Sequence, residues 1–287
     1  MKLPPFDYAA PTTLDEAIAL LAASGGGARP LSGGQSLLPV LAFRLAAPTM
    51  LVDLGRIPGL DRIEAGAQGV RLGARVRWCD IERHEMLAKV HPLLVAAIDH
   101  VAHYQVRNRG TVGGSLAHAD PSAEMPGIAV TCDAAIVLKG TRGERVVPAG
   151  EFFTGALSTA LESDELIVEV RFPPWPANRR WAFEEFARRR GDFAMAGVAL
   201  HYDLDAQGRV QDAHIGVIGA CTRPHRIAEA EAELNGRAVT AEMIASTARA
   251  ASAAVNPLGD LHASAAYRRS LVGTLLERAL RRAATGS

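Results

Sequence analysis

The chain has 287 residues, 48% hydrophobic and 22% charged, a globular composition that excludes a disordered or low-complexity protein and allows two domains or three small lobes. Lys+Arg equals Asp+Glu at 31 each, so no global field favours nucleic acid or an anionic membrane. The three cysteines, Cys79, Cys132 and Cys221, are far apart and form no CxxC, which excludes a locally ligated zinc or iron–sulfur centre and fits a reducing compartment.

The N-terminal stretch has no apolar core of signal-peptide length, and no apolar run approaches the ~20 residues of a membrane span, so a cytoplasmic location is expected. Thr13-x-x-Glu16 is a capping box, and Leu14, Ala17, Ile18 and Leu21 continue it as a helix that stops at Gly25-Gly26-Gly27. Arg29-Pro30-Leu31 reads as a strand, Leu37 to Leu45 as a helix and Met50 to Leu54 as a strand. The pattern repeats loosely: Val70–Gly73 as a strand, then helices over Trp78–Leu87 and Pro92–His103, with Pro92 in a first turn. A glycine segment at 110–115 and a proline-punctuated stretch to Pro126 come next, then a strand over Ala134–Leu138. Glu165–Phe172 alternates, with Leu166, Val168, Val170 and Phe172 assigned to one face.

Three prolines in Pro173-Pro174-Trp175-Pro176 read as a linker. Beyond it, strands over Trp181–Phe186, Ala194–Asp203 and Val210–Ile218 precede helices at about 225–234, 240–253 and 264–284, the order of an α+β lobe.

Ser32-Gly33-Gly34-Gln35-Ser36 and Thr111-Val112-Gly113-Gly114-Ser115 share one makeup: hydroxyls flanking a glycine pair. Without Cβ obstruction their backbone N–H groups can approach an anion, and two such loops suit a pyrophosphate; one alone is ordinarily a tight turn. No GxGxxG follows a strand, and neither GxxxxGK[ST] nor GxSxG occurs, which removes the familiar nucleotide and hydrolase motifs. His100 and His103 stand i, i+3 on an expected helix face, without a third metal ligand nearby. His118-x-Asp120 reads as local hydrogen bonding, Arg188-Arg189-Arg190 as a solvated turn or docking site, and the basic C-terminal helix, Arg268 and Arg269 included, as complementing the helix dipole.

The segments Ser32 to Pro39, Gln105 to Pro121 and Arg189-Arg190-Gly191-Asp192-Phe193-Ala194, with Asp260 to Arg269, resemble the FAD-binding medium subunit of the molybdenum hydroxylases, the family of xanthine dehydrogenase, carbon monoxide dehydrogenase and the N-heterocycle oxidoreductases. The resemblance runs nearly end to end. It implies an α+β fold: a vanillyl-alcohol-oxidase (PCMH)-type FAD-binding domain of two subdomains, 1–57 and 58–176, and a C-terminal α+β lobe of the CO dehydrogenase flavoprotein type, 177–287. It implies a cradle for the FAD pyrophosphate made of Arg29, Pro30, Leu31, Ser32, Gly33, Gly34, Gln35, Ser36 and Leu37 with Thr111, Gly113, Gly114 and Ser115, flanked by Val101 and Gly110. By the same resemblance Glu124 meets the ribityl chain, Ile167 lines the cofactor through its backbone, and Phe193 lies against the isoalloxazine ring. Glu184-Glu185 stand where relatives commonly carry a lysine.

The implied role is electron transfer within a heterohexamer of three subunit types. A large subunit with molybdopterin hydroxylates the substrate, a small subunit with two [2Fe–2S] clusters carries electrons, and the FAD of this chain passes them to an external acceptor. No general acid or base is expected, since the flavin supplies the chemistry. The residues 35–45 and 100–103 resemble quinoline-type enzymes more than carbon monoxide dehydrogenase, implying an N-heteroaromatic substrate. A carbon monoxide dehydrogenase-like medium subunit, a stand-alone flavin oxidase and a non-enzymatic nucleotide-binding module remain as alternatives.

Overall fold

In the computed structural model, which describes residues 2–286, Thr13 caps the helix Leu14–Ala23 with both halves of the capping box made. That helix buries Ala17, Ile18 and Leu21 over a parallel sheet of β1 (Asp7–Ala9), β2 (Ala28–Leu31) and β3 (Met50–Asp53), ordered β1-β3-β2. The expected helix at 37–45 is confined to Leu37–Ala42, and the chain turns through Arg44 at φ +58°.

A second sheet comprises β4 (Ile63–Gly66), β5 (Gly69–Gly73), β6 (Ala135–Gly140), β7 (Gly143–Pro148) and, after the small hairpin β8 (Phe153–Gly155) and β9 (Ser158–Thr159), β10 (Leu166–Phe172). Its order is β4-β5-β10-β6-β7, antiparallel throughout. The sequence pattern did not show the two edge strands, β4, the hairpin mate of β5, and β7, that of β6, which are half-buried or exposed along most of their length. The helices around this sheet are shorter than expected: Trp78–Leu87 breaks at His84 into Trp78–Arg83 and Glu85–Val90, and the helix from Pro92 ends at Ile98. His100 and His103 therefore share no helix face.

The register of β10 shifts between Ile167 and Glu169, so Val168 is an extra residue in the strand. The one-face assignment of Leu166, Val168, Val170 and Phe172 is thereby corrected. Leu166 and Val168 join the core of the first sheet, whereas Ile167, Val170 and Phe172 join that of the second.

β11 (Arg180–Phe186), β12 (Ala196–Leu204), β13 (Val210–Ile218) and the two-residue β14 (His225–Arg226) form an antiparallel sheet in chain order. The helices Ala228–Leu234, Ala241–Ala254 and Ala265–Thr285 share one core with it, the segregated arrangement expected. Arg268, in the first turn of the last helix, is not a dipole partner but a buried strut. Its guanidinium donates to the carbonyls of Met195 (2.6 Å) and Gly219 (2.9 Å) and pairs with Asp260.

The proline-rich connection is stapled. Trp175 lies 4.5 Å from the His91 ring and 5.2 Å from that of His201, with the Arg179 guanidinium 5.2 Å above its own. Burial pushes the pKa of His91 down to about 3 and that of His201 to about 2, so both rings are neutral.

Candidate functional site

A cavity of about 650 Å³ opens where the edge of the first sheet, the helices beside the second sheet and the loop 191–193 meet. Seventeen of the eighteen residues predicted for the site line it; Leu31 alone does not. Leu31 ends β2, and its Cδ1 would lie 3.3 Å from a Cβ at Gly34. It supports the loop from behind. Gly34 sits at φ +74°, a conformation that favours glycine, and reverses the chain towards the cavity.

The two glycine segments are tied by the Ser32 and Thr111 hydroxyls, 3.0 Å apart across 79 positions of sequence. In the first segment, the backbone N–H groups of Gly33, Gly34, Gln35 and Ser36 have no acceptor among the described residues, and all four residues line the cavity. Gln35 Nε2 donates to the Gly33 carbonyl (3.1 Å), fixing the loop without consuming those donors.

The second segment differs from its expected form. It follows an isolated bridge between Arg77 and Thr111 rather than a strand, and it is the first turn of a helix, Val112–His118, with Thr111 as the cap. Its amides are used up: Val112 N–H donates to Val76 O (3.0 Å), Gly113 to Ala74 O (2.8 Å), Gly114 to Thr111 Oγ1 (3.3 Å) and Ser115 to Thr111 O (3.0 Å). What it offers instead is closeness. A Cβ at Gly113 would lie 2.6 Å from the Ala74 Cβ, and one at Gly110 2.6 Å from Trp78 Nε1. The glycines let this helix lie flat on the turn after β5, which forms one wall.

Val101 and Ile167 form buried apolar wall, while Phe193 stands at the rim, 70% exposed. Glu124 begins the helix Glu124–Thr131, whose eight residues are all buried although Pro126 and Gly127 hid it in the sequence. Proline is tolerated in a first helical turn, where its missing N–H has no intrahelical partner, and Gly127 leaves room for Ile218 of β13, which a Cβ would meet at 2.4 Å. Two glutamates thus face the cavity with opposite electrostatics. Arg145 grips both oxygens of Glu165 at 2.7 Å and holds its carboxyl below the usual range, whereas burial, reinforced by Asp120, pushes that of Glu124 up.

Sequence reasoning missed Trp78, Ala74, Val106 and Leu161 in the wall. Their signal is purely tertiary: none belongs to a glycine segment, and each reaches the cavity only through chain crossings. His118 and Asp120 do line it, and Asp120 also accepts from Ser122 N–H at 2.8 Å, a local bond that does not involve His118. The arginines 188–190 form an exposed turn, with Arg190 3.5 Å from Asp99.

The arrangement fits a dinucleotide. Four amides without an acceptor among the described residues belong to a loop that lines an apolar cleft, a tight glycine wall lines it too, and the volume exceeds what a mononucleotide's phosphates need. Comparison with known proteins agrees. The family model of the FAD binding domain in molybdopterin dehydrogenase matches residues 4–175, and that of the CO dehydrogenase flavoprotein C-terminal domain matches 181–283. The alpha subunit of the 6-hydroxypseudooxynicotine dehydrogenase complex of Paenarthrobacter nicotinovorans is 39% identical over 283 residues, 99% of this chain and 96% of that protein. Quinoline 2-oxidoreductase from Pseudomonas putida 86 superposes with a TM-score of 0.94 at 40% identity over 100% of this chain and 99% of that one. Carbon monoxide dehydrogenase from Hydrogenophaga pseudoflava does so with a TM-score of 0.96 at 38% identity, covering 99% of both chains. With both halves of the chain matched and a relative this similar along its whole length, the chain belongs to the FAD-binding subunit family of the molybdenum hydroxylases.

Proposed function

We propose that this chain is the medium, FAD-carrying subunit of a heteromeric molybdenum hydroxylase acting on an N-heteroaromatic substrate. The observation that carries the reading is the set of unpaired amides at Gly33, Gly34, Gln35 and Ser36, held against the glycine wall of 110–115 by the Ser32–Thr111 contact. The amides of the first segment bind the pyrophosphate. Thr111, Gly113, Gly114 and Ser115 admit it closely, with Gly110 and Val101 beside them, and Arg29, Pro30 and Leu37 complete the mouth. Ile167 and the wall around it exclude water from the cofactor, and Phe193 covers the rim where an acceptor arrives. When bound, the flavin supplies conversion between one-electron arrivals and a two-electron departure. The chain's own residues bind and orient; none is placed as a general acid or base on substrate.

The three cysteines are free and dispersed, so the iron–sulfur clusters belong to a small partner and the molybdopterin to a large one, in a heterohexamer. Burial pushes all three thiols up, as suits inert structural cysteines in the reducing cytoplasm. A division at about residues 57 and 176 into two FAD-binding subdomains and the C-terminal lobe is supported by the separate sheets, while Leu60 and Leu166 in the first core and Phe183, Ala194, Ala199 and Ile218 in the second tie the three parts together. The substrate class rests on the likeness to the quinoline and 6-hydroxypseudooxynicotine enzymes.

The test is a complex carrying Gly114→Val. Substrate should still bleach the iron–sulfur absorption in a single turnover, while steady-state transfer to the acceptor collapses. If the flavin-free complex leaves its clusters oxidised although the molybdenum site is intact, this subunit takes part in substrate oxidation and the reading fails.

A further inference from the structure

The helix Glu124–Thr131 has one end at the cavity and the other in a cluster of histidines. Along β13, His214, Gly216 and Ile218 stand two apart on one face, and all three meet this helix. Ile218 packs where Gly127 has no side chain, a Cβ at Gly216 would run into Thr131 Oγ1, and His214 Nδ1 reaches the Thr131 carbonyl at 2.9 Å. His201 Nε2, from β12, reaches the same carbonyl at 3.2 Å. Carbonyls of a last turn lack an intrahelical donor, so two imidazoles complete this helix from outside.

The two rings are held differently. His201 spends its one N–H on Thr131; its Nδ1 has no hydrogen-bond partner among the described residues, and burial keeps the ring neutral. His214 is engaged at both nitrogens: Nε2 lies 3.0 Å from Asp212 Oδ1, and Nδ1 has Asp133 Oδ2 at 3.5 Å besides Thr131. A carbonyl and a carboxylate only accept, so meeting both at once takes an N–H on each nitrogen, the imidazolium form. The backbone bends to build this contact. Between the pairs His201–His214 and Asp203–Gln211, β13 carries one residue more than β12, and Asp212 in that bulge sits at φ +50°, as Asp133 does at +48°.

The charges facing His214 come from every neighbouring element. Asp212 stands on its own strand, Asp133 in the turn after the helix, and Glu231 on the helix Ala228–Leu234, where it accepts from Ile215 N–H at 2.8 Å. Arg226 of β14 pairs with Asp133 (3.0 Å) and Glu231 (2.7 Å), while Arg179 pairs with Asp203 (2.7 Å) and reaches Asp212 (3.4 Å). The Cys132 thiol beside Thr131 is pushed up by burial and stays neutral. Among the described residues, then, these four carboxylates share two guanidiniums before the imidazolium is counted.

We propose that His214 is a positioning residue of the flavin site: donating to Thr131 O and Asp212 Oδ1, its imidazolium seats the helix whose first residue, Glu124, lines the cavity, and flavin binding weakens when its second proton leaves. The inference rests on the FAD reading above. A neutral ring has one N–H for two acceptors. It either releases Thr131 or turns a lone pair on the Asp212 carboxylate, and it removes a positive charge from the helix end that favours one. Eight helical residues span about 12 Å, so a shift at Thr131 is carried rigidly to Glu124. The seat is complete while the ring is protonated and is lost as pH rises through its titration.

The experiment is a pH profile of FAD affinity for the full chain, read by flavin fluorescence. Glu124 titrates in the same cavity, so the profile is repeated in Glu124→Gln. In both, affinity should fall about tenfold from mildly acid to mildly alkaline pH. His214→Gln keeps a donor for Thr131 and cannot titrate, so in the Glu124→Gln background its profile should be flat. Asp212→Asn, at an exposed position, should move the fall to lower pH, and it decides alone should His214→Gln not fold. A merely structural role would lower affinity equally at every pH. Two readouts need no flavin. With nitrogen-15-labelled histidine, the ring signal that moves most in Asp212→Asn should show both nitrogens protonated at neutral pH. Amide exchange over residues 124–131 should quicken, beyond intrinsic base catalysis, as that proton leaves. A wild type that passes both but binds no FAD at any pH defeats the function reading and leaves the seat standing. An unprotonated nitrogen at neutral pH, or a fall in Asp212→Asn at the same pH as in the wild type, overturns the positioning role.

Discussion

The two glycine segments have nearly the same composition and opposite uses. Around Gly33 and Gly34 the chain bends through residues in no helix or strand, keeps four amides unpaired and spends its side chains on holding the bend. At Gly113 and Gly114 the chain is helical and every amide is taken; the missing side chain of Gly113 brings the helix against Ala74, while that of Gly114 leaves the wall open towards the cavity. Glycine thus marks close approach in both places, Gly33 against the Arg109 carbonyl and Gly113 against Ala74, and what separates the segments is whether their amides are free, which the residue type cannot say.

The largest expected effect comes from Gly33→Ala. Its Cβ would sit 2.2 Å from the Arg109 carbonyl oxygen, a backbone clash with no side chain to move aside. The FAD-free chain should lose stability at or above the upper end of the about 1–3 kcal/mol of overpacking, read as a fall in melting temperature. Gly113→Ala should come next, pushing the helix off Ala74 at about 1–3 kcal/mol by the same measurement.

Gly114→Ala should separate the two uses. Its Cβ would meet Thr111 Oγ1 alone, at 2.8 Å, and otherwise face the cavity. FAD affinity should drop about tenfold or more, or about 1.4 kcal/mol, with the FAD-free melting temperature moved less than in Gly113→Ala. An unchanged affinity would mean that this wall does not face the cofactor. Thr111→Val removes the helix cap and the tie to Ser32 together, an expected loss of about 1 kcal/mol; a double-mutant cycle with Ser32→Ala isolates the tie.

The smallest difference between segments should appear in acid. His91 and His201 line neither segment, and their folded pKa values lie below the ordinary histidine value of 6.5. The unfolded chain therefore binds protons that the native chain refuses. Stability is fully present above about pH 6.5 and lost as pH falls towards 3, by about 1.4 kcal/mol per unit and histidine. The loss should be equal in wild type and Gly114→Ala. From the usual carboxylate range upwards the sign reverses: Glu124 and Glu185 are raised, so their contribution is fully present below that range and lost as pH rises towards about 7 for Glu124 and about 9 for Glu185.

Local rules made much of this legible. Thr13 and Glu16 cap a helix wherever they stand at that spacing, and the glycine pairs pointed to the cleft before any contact was known. What stayed hidden depends on partners distant in sequence. The helix Glu124–Thr131 contains Pro126 and Gly127 and reads as a loop; it is helical because β12 and β13 on one side and the helices Pro92–Ile98 and Val112–His118 on the other bury it. The alternation of β10 was visible, but the extra residue at Val168 was not, because a bulge is a property of the pairing and not of one strand.

That bulge ties the fate of the two FAD-binding units together. With Leu166 and Val168 seated in one core and Ile167, Val170 and Phe172 in the other, β10 belongs to neither side alone. Peeling away one unit strips the other of part of its interior, so the pair should melt in a single calorimetric transition. The cleft between them is then a fixed groove rather than a jaw: a bound cofactor leaves at the pace of local melting along this shared strand, and its residence time becomes a clock for that seam.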